Sequence, residues 1–295
     1  FIGPPGTGKT MLASRLPGLL PPLTDQEWLE VMAVHSITDC NLSAPAMRRR
    51  PFRAPHHGSS AQAVAGGGSQ ARPGEISLAH GGVLFLDELP EFSRPVLECL
   101  RQPLESAEIH IARAAARVTY PARFQLVAAM NPCPCGYEGD LQRECRCTPD
   151  QVQRYRRKVS GPLLDRIDLQ VSLQRLRAAT LLKAQPDGED SASVRCRVER
   201  ARQRQLGRNG HLNSTLAGTD LLAACKLQAS DERLAEQWIE RSGLSARAWH
   251  RVLRVARTIA DLAGRQGIER PHLLEAVGYR RFSEDADRPM DLNKP

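Results

Sequence analysis

Eight consecutive residues near the start of the chain, Gly3, Pro4, Pro5, Gly6, Thr7, Gly8, Lys9 and Thr10, fit the pattern G-x-x-x-x-G-K-[ST] at every fixed position. The chemistry served by that spacing is the cradling of a nucleoside triphosphate. Glycines let backbone N–H groups wrap phosphate oxygens, the lysine sets a point charge beside the β- and γ-phosphates, and the threonine hydroxyl reaches Mg²⁺. A second constellation is the apolar run Val83, Leu84, Phe85 and Leu86 ending in Asp87 and Glu88. Asp87 would hold the Mg²⁺ shell, and Glu88 would orient and deprotonate an attacking water. A strand followed by acidic residues is common; downstream of a phosphate loop it points to ATP hydrolysis.

Three further residues suit roles in the same reaction. Asn131 follows an apolar stretch at 124–129, where a polar side chain can touch the γ-phosphate or the attacking water. Arg166, between Asp165 and Asp168, can reach a neighbouring subunit's γ-phosphate as a finger in trans. Its plain alternative is a local salt bridge with Asp165 or Asp168. Arg247 opens a helix that also carries Arg251 and Arg254, and can lean on the nucleotide from a second domain.

The remaining cluster is made of thiols. Cys133, Cys135, Cys145 and Cys147 form C-x-C-(x9)-C-x-C, while the other four cysteines are scattered. Four thiolates suit tetrahedral Zn²⁺ and would stiffen a loop with little core of its own. The alternative is unligated or disulfide-forming cysteines, because C-x-C is tighter than the usual C-x2-C. His56 and His57 are adjacent and read as a contact for DNA or a partner in preference to metal ligands.

These residues need a scaffold. The phosphate loop lies between a strand end and a helix over 10–19, and the stretches 83–86, 124–129 and 167–171 read as buried parallel strands. An amphipathic helix is expected over 95–104, a hairpin from 109–111 and 117–120, and a basic helix over 149–159. Residues 51–74, rich in Pro, Gly, Ser and His, read as a loop or flexible insertion. The composition turns acidic and loop-forming at 185–193. That divides an α/β P-loop core, 1–184, from a helical region, 193–283, with helices over 193–206, 219–225, 230–241, 245–264 and 270–278. Residue 1 is Phe and the phosphate loop starts two residues later, so the expectation is a fragment cut within its first strand.

The chain has 295 residues, 41% hydrophobic and 25% charged, with no apolar run long enough to span a membrane. A cytoplasmic location fits reduced cysteines and the lack of a signal-peptide pattern. The net charge of +8 suits a polyanionic partner.

Longer motifs carry a family resemblance. They are Arg50 to His57 (RPFRAPHH), Arg72 to His80 (RPGEISLAH), Gly82 to Glu91 (GVLFLDELPE), Leu100 to Glu105 (LRQPLE), Ala128 to Gly136 (AAMNPCPCG) and Gly161 to Asp168 (GPLLDRID). Together they resemble the magnesium-chelatase-like AAA+ family, in the branch that contains bacterial competence proteins. The resemblance implies a parallel P-loop sheet with helices on both faces, of the helix-2-insert clade, followed by a small all-α lid domain. It also implies a hexameric ring, ATP and Mg²⁺ as ligands, and DNA branch migration in natural transformation and recombination. An N-terminal domain resembling ribosomal protein S5 precedes the motor in such proteins.

Site roles implied by the resemblance fall on Gly3 to Thr10, Asp87, Glu88, Asn131 as first sensor, Arg166 as finger and Arg247 as second sensor. The segment 51–74 would be the helix-2 insert, and 107–120 the hairpin before the sensor strand. His110, Arg113 and Arg117 on that hairpin would touch DNA phosphates; a solvated basic hairpin is the alternative. Two rival functions share the motifs: a chelatase-type motor that remodels a partner enzyme, and a MoxR-like chaperone that binds protein clients.

Overall fold

The computed structural model describes residues 1–38, 48–112, 117–140, 142–176, 188–227 and 245–280. They form two compact units, Phe1–Ile167 with Val171–Ser191, and Asp168–Gln170 with Ala192–Pro295.

The first unit is organised by β4, Val83–Leu86, whose four residues are all buried. Side chains alternate across a strand. Leu84 and Leu86 therefore enter one core with Ile76, Val96, Leu97 and Leu163, while Val83 and Phe85 enter a second with Ala13 and Ala129. Burial on both faces is the signature of a parallel sheet covered by helices on each side. β4 pairs in parallel with β1, Phe52–Arg53, on one edge and with β7, Gln125–Ala128, on the other. Past β7, Met130 forms a parallel bridge with Ile2, and Ile2 forms one with Ser172. The phosphate loop therefore leaves the sheet beside the chain that carries Asn131.

The helices follow local signals. α1, Lys9–Arg15, starts from Gly8; α2, Asp25–Ser36, starts at a capping box made by Thr24 and Glu27. α3, Ala61–Ala65, is capped by Ser60 and leads into β2, Gly66–Gly67, which pairs with β3, Arg72–Pro73, ahead of α4, Glu75–Leu78. α5, Arg94–Cys99, and α6, Arg101–Ser106, precede a hairpin of β5, Glu108–Ala112, and β6, Arg117–Pro121. α7, Pro149–Arg156, begins at a second capping box, Thr148 with Gln151, and α8, Gly161–Leu164, follows.

Three local expectations are corrected. Residues 51–74 are not a loop throughout: Phe52 and Arg53 form a strand of the main sheet, with Phe52 stacked on Phe85 at 6.1 Å and Arg53 held by Glu75 at 2.6 and 2.7 Å. The helix over 95–104 breaks at Leu100 into α5 and α6. Pro103 has no N–H to give Cys99, and its ring crowds that carbonyl. The strand over 167–171 reduces to a single bridge at Ser172, with Val171 O accepting from Ile2 N–H at 2.9 Å. The helix over 230–241 and the tail beyond 283 lie outside the described residues.

The second unit is helical: α9, Ser191–Asn209; α10, Gly218–Cys225; α11, Ala246–Leu262; and α12, Arg270–Gly278. Ser245 caps α11 by accepting from Ala248 N–H, and α12 opens with Pro271 in its first turn. Leu221, Val252, Leu253, Ala256, Ile268 and Leu273 make its core. Among the described residues no helix is long and apolar enough to cross a membrane.

Candidate functional site

The phosphate loop turns through two left-handed glycines, Gly6 at φ 79° and Gly8 at φ 81°. A side chain is strained at such angles, which accounts for the glycine that the pattern fixes at position 8 and for the one this sequence adds at position 6. Gly8 is the N-cap of α1 and no side chain caps that helix, so its first-turn N–H groups are open to an anion.

Lys9 and Thr10 then point in different directions. Lys9 Nζ donates to Gly3 O at 2.7 Å, to Pro4 O at 2.9 Å and to Asn131 Oδ1 at 3.2 Å. Burial holds its ammonium below the ordinary lysine pKa, and the charge of Asp87 pulls the other way. Thr10 Oγ1 donates to Asp87 Oδ2 at 2.7 Å. The other Asp87 oxygen, Oδ1, accepts from Glu88 N–H at 2.9 Å. A hydroxyl facing a carboxylate at the end of an apolar strand, next to a lysine and open amides, is a donor set that fits a Mg²⁺–triphosphate.

Glu88 itself is in the left-handed region at φ 54°, uncommon for a residue with a Cβ. Its carboxylate is more than half exposed and meets His57 Nδ1 at 3.1 Å. His57 stacks on His56 at 4.1 Å and meets the edge of Phe92. Reading the histidine pair as part of an insertion missed this contact. The pair follows shortly after β1, and parallel strands adjacent in the sheet end on the same side; with β1 hidden in the sequence, that signal was not available there.

Asn131 thus joins Lys9, Thr10, Asp87 and Glu88. Arg166 is placed otherwise. Its guanidinium is mostly covered and bonds to Glu105 Oε1 and to Pro162 O, both at 2.5 Å. A carboxylate that engages it is Glu105, 61 residues upstream, which the sequence did not suggest; Asp168 pairs with Arg251 at 3.0 Å. The cleft around it is also lined by Glu98, Arg101, Gln102 and Ser106. Arg247 is exposed in the first turn of α11, within the second unit. On the β5–β6 hairpin, His110 is exposed and its ring bonds Thr119 Oγ1 at 2.9 Å; Arg117 is exposed on the same face. Arg113 lies outside the described residues.

The four clustered cysteines converge. Their Sγ atoms all lie within 4.8 Å of one another, with Cys133–Cys135 at 3.4 Å and both Cys133–Cys145 and Cys135–Cys145 at 3.6 Å. All four are free thiols. Zn–S bonds of about 2.3 Å in a tetrahedron give sulfur separations of about 3.8 Å, so the set fits a soft divalent cation.

The comparisons with known proteins agree with this geometry. Residues 1–181 match the family described as magnesium chelatase, subunit ChlI, and residues 188–280 match the C-terminal family of the same subunit. The chain is 52% identical over 280 residues to competence protein ComM of Haemophilus influenzae, covering 95% of this chain and 55% of ComM. It is 52% identical over 281 residues to YifB of Escherichia coli, with the same coverage. The magnesium-chelatase 67 kDa subunit of Heliobacterium mobile is more distant, 25% identical over 235 residues, covering 68% of this chain and 33% of that protein. The chain spans about half the length of the first two relatives. With its parallel sheet, phosphate loop and helical C-terminal region, the chain belongs to the magnesium-chelatase-like AAA+ family.

Proposed function

We propose that this chain is the ATP-hydrolysing motor part of a ring-forming AAA+ protein that acts on DNA, a helicase-like branch-migration subunit in natural transformation and recombination. The observation that carries the ATPase reading is the meeting of Lys9 with Asn131, from the neighbouring strand end, and of Thr10 with Asp87, from the end of β4 one strand further on. Bound Mg²⁺–ATP would supply the reacting phosphoryl group and its Lewis acid. The backbone of Gly3 to Gly8 and the Lys9 ammonium bind phosphates, and Thr10 and Asp87 hold the metal shell. Glu88 takes the proton of the attacking water, and Asn131 orients the γ-phosphate side of the site. Arg247 acts as second sensor, and Zn²⁺ occupies the cysteine cluster.

Arg166 acts in trans, in a hexamer, and must give up Glu105 to do so. Arg166→Ala is expected to lower ATP turnover by about 10³-fold or more, the range of a trans finger, while ATP binding persists. Equilibrium binding of a fluorescent ATP analogue beside steady-state turnover checks this. Loss of binding in the variant would assign Arg166 to the nucleotide pocket of its own subunit instead.

The DNA reading is supported by the net charge of +8, by exposed His110 and Arg117 on the hairpin, and by the likeness to a competence protein. It is tested by the ATPase rate of the full-length protein with and without branched DNA at several salt concentrations. Stimulation that falls steeply as salt rises is expected, since phosphate contacts release counterions. A rate indifferent to DNA at low salt sinks this reading. Stimulation by a protein partner would then favour a chelatase-type motor, the direction in which the likeness to the 67 kDa subunit points.

A further inference from the structure

The cysteine loop lies against the nucleotide site. Asn131 is followed directly by Pro132 and Cys133, and Cys133 is fully buried. Gly136 N–H donates to Cys133 O at 3.0 Å, and Glu138 N–H points at Cys133 Sγ at 3.3 Å. Gly136 is left-handed at φ 85° and sits directly on the phosphate loop. A Cβ added there would lie 2.8 and 2.9 Å from the ring carbons of Pro5, and 3.7 Å from the amide carbon of Asn131. The far side of the loop is tied to α7, where Arg156 bonds Glu138 at 2.6 Å and Pro132 O at 3.3 Å.

We propose that the four-thiolate loop is a metal-set strut for the phosphate loop: a soft divalent cation such as Zn²⁺ on Cys133, Cys135, Cys145 and Cys147 fixes Gly136 against Pro5 and Asn131, and losing the metal weakens nucleotide binding. The inference rests on the nucleotide reading above and adds a dependence that the reading does not require. Its physical basis is ordering. Cys133 and Cys135 bracket a single residue, and Gly136 follows at once, so one bound cation fixes the backbone at both Asn131 and Gly136. Without it, the four buried or half-buried thiols contribute only weak contacts, and on its far side the loop is held by Arg156. The entropy of ordering the loop must then be met when nucleotide binds. Gly136 and the four cysteines are positioning residues, since none of them touches the reacting atoms.

The test uses the full-length protein and two independent readouts. Metal content is measured by elemental analysis before and after a thiol-reactive reagent followed by chelator. The dissociation constant of a fluorescent ATP analogue is measured on each preparation, with the melting curve as a check on folding. About one zinc per chain is expected; after excess reductant has released the reagent from the thiols, the stripped protein should bind nucleotide about tenfold more weakly, with recovery on adding ZnCl₂. Gly136→Ala should weaken binding by a similar factor while retaining zinc, and Pro5→Ala in the same chain should restore the part due to the ring carbons that the new Cβ meets, leaving the part due to the left-handed backbone. Equal nucleotide affinity with and without metal overturns the coupling, as does a chain that never takes up metal. A zinc-loaded, folded chain that binds no nucleotide overturns instead the reading on which the coupling rests.

Discussion

Replacing Glu88 by glutamine is expected to slow ATP hydrolysis by about 10²- to 10⁴-fold, the range lost with a general base, while ATP stays bound. The expectation comes from how the two acidic residues divide their work. Asp87 has both oxygens engaged, one by the Thr10 hydroxyl and one by the Glu88 amide, which fixes its orientation for the metal-shell role proposed above. Glu88 turns away from that bond through a left-handed backbone, and its carboxylate is more than half exposed. It meets His57 and is otherwise open to solvent. Glutamine keeps the volume and one carbonyl acceptor for His57 but cannot take a proton. Single-turnover hydrolysis of prebound ATP, beside the dissociation constant of a non-hydrolysable analogue, separates the two effects. A glutamine variant with the wild-type single-turnover rate would place the base elsewhere.

The parts of this site that were legible in the sequence share one property: the chemistry itself fixes their spacing. A phosphate loop must be contiguous, and an acidic pair must end an apolar strand, so Gly3 to Thr10 and Asp87–Glu88 could be found by pattern. Asn131 followed because parallel strands end on one side of a sheet. The partners of these groups come from far along the chain and have no fixed spacing. His57 reaches Glu88 from 31 residues upstream, Glu105 reaches Arg166 from 61, and Gly136 presses on Pro5 across most of the unit. β1 was missed for a different reason. Two residues are too few to show a period, and the prolines, glycines and histidines around Phe52–Arg53 read as loop. What makes it a strand is the company of Phe85 and Glu75, which is tertiary.

In the helical unit the hidden feature is a buried charge, and it sets the second large effect. Asp261→Ala is expected to destabilise that unit by about 3–5 kcal/mol, the cost of leaving a buried partner charge uncompensated. α11 buries Val252, Leu253, Ala256 and Ala260, and the same stripe carries Arg257 and Asp261, 0% and 1% exposed. Asp261 Oδ1 accepts from Arg257 Nη2 at 2.9 Å and from Arg208 Nη1 at 2.6 Å; Oδ2 accepts from Asn213 Nδ2 at 2.8 Å and from Arg208 Nη2 at 3.0 Å. One carboxylate thus binds two arginines and an amide and joins α9, the turn at Asn213 and α11. An arginine and an aspartate four residues apart ordinarily read as a solvated helix pair; the hint to the contrary was their place within the apolar stripe. Burial opposes ionisation of Asp261, but hydrogen bonds from Arg208 and Asn213 and the charge of Arg257 prevail and hold its pKa below the ordinary aspartate value. A lowered carboxylate pKa contributes stability that is fully present above the unfolded-state value and is lost as pH falls through the folded one. The difference between wild type and Asp261→Ala should therefore be full at neutral pH and shrink only in strong acid. Hydrogen exchange of peptides from 246–262 reads the effect locally, as protection lost from α11 while β4 and β7 keep theirs. Unchanged protection across α11 would mean that Arg257 and Arg208 find other acceptors, and that this carboxylate does not tie the helices together.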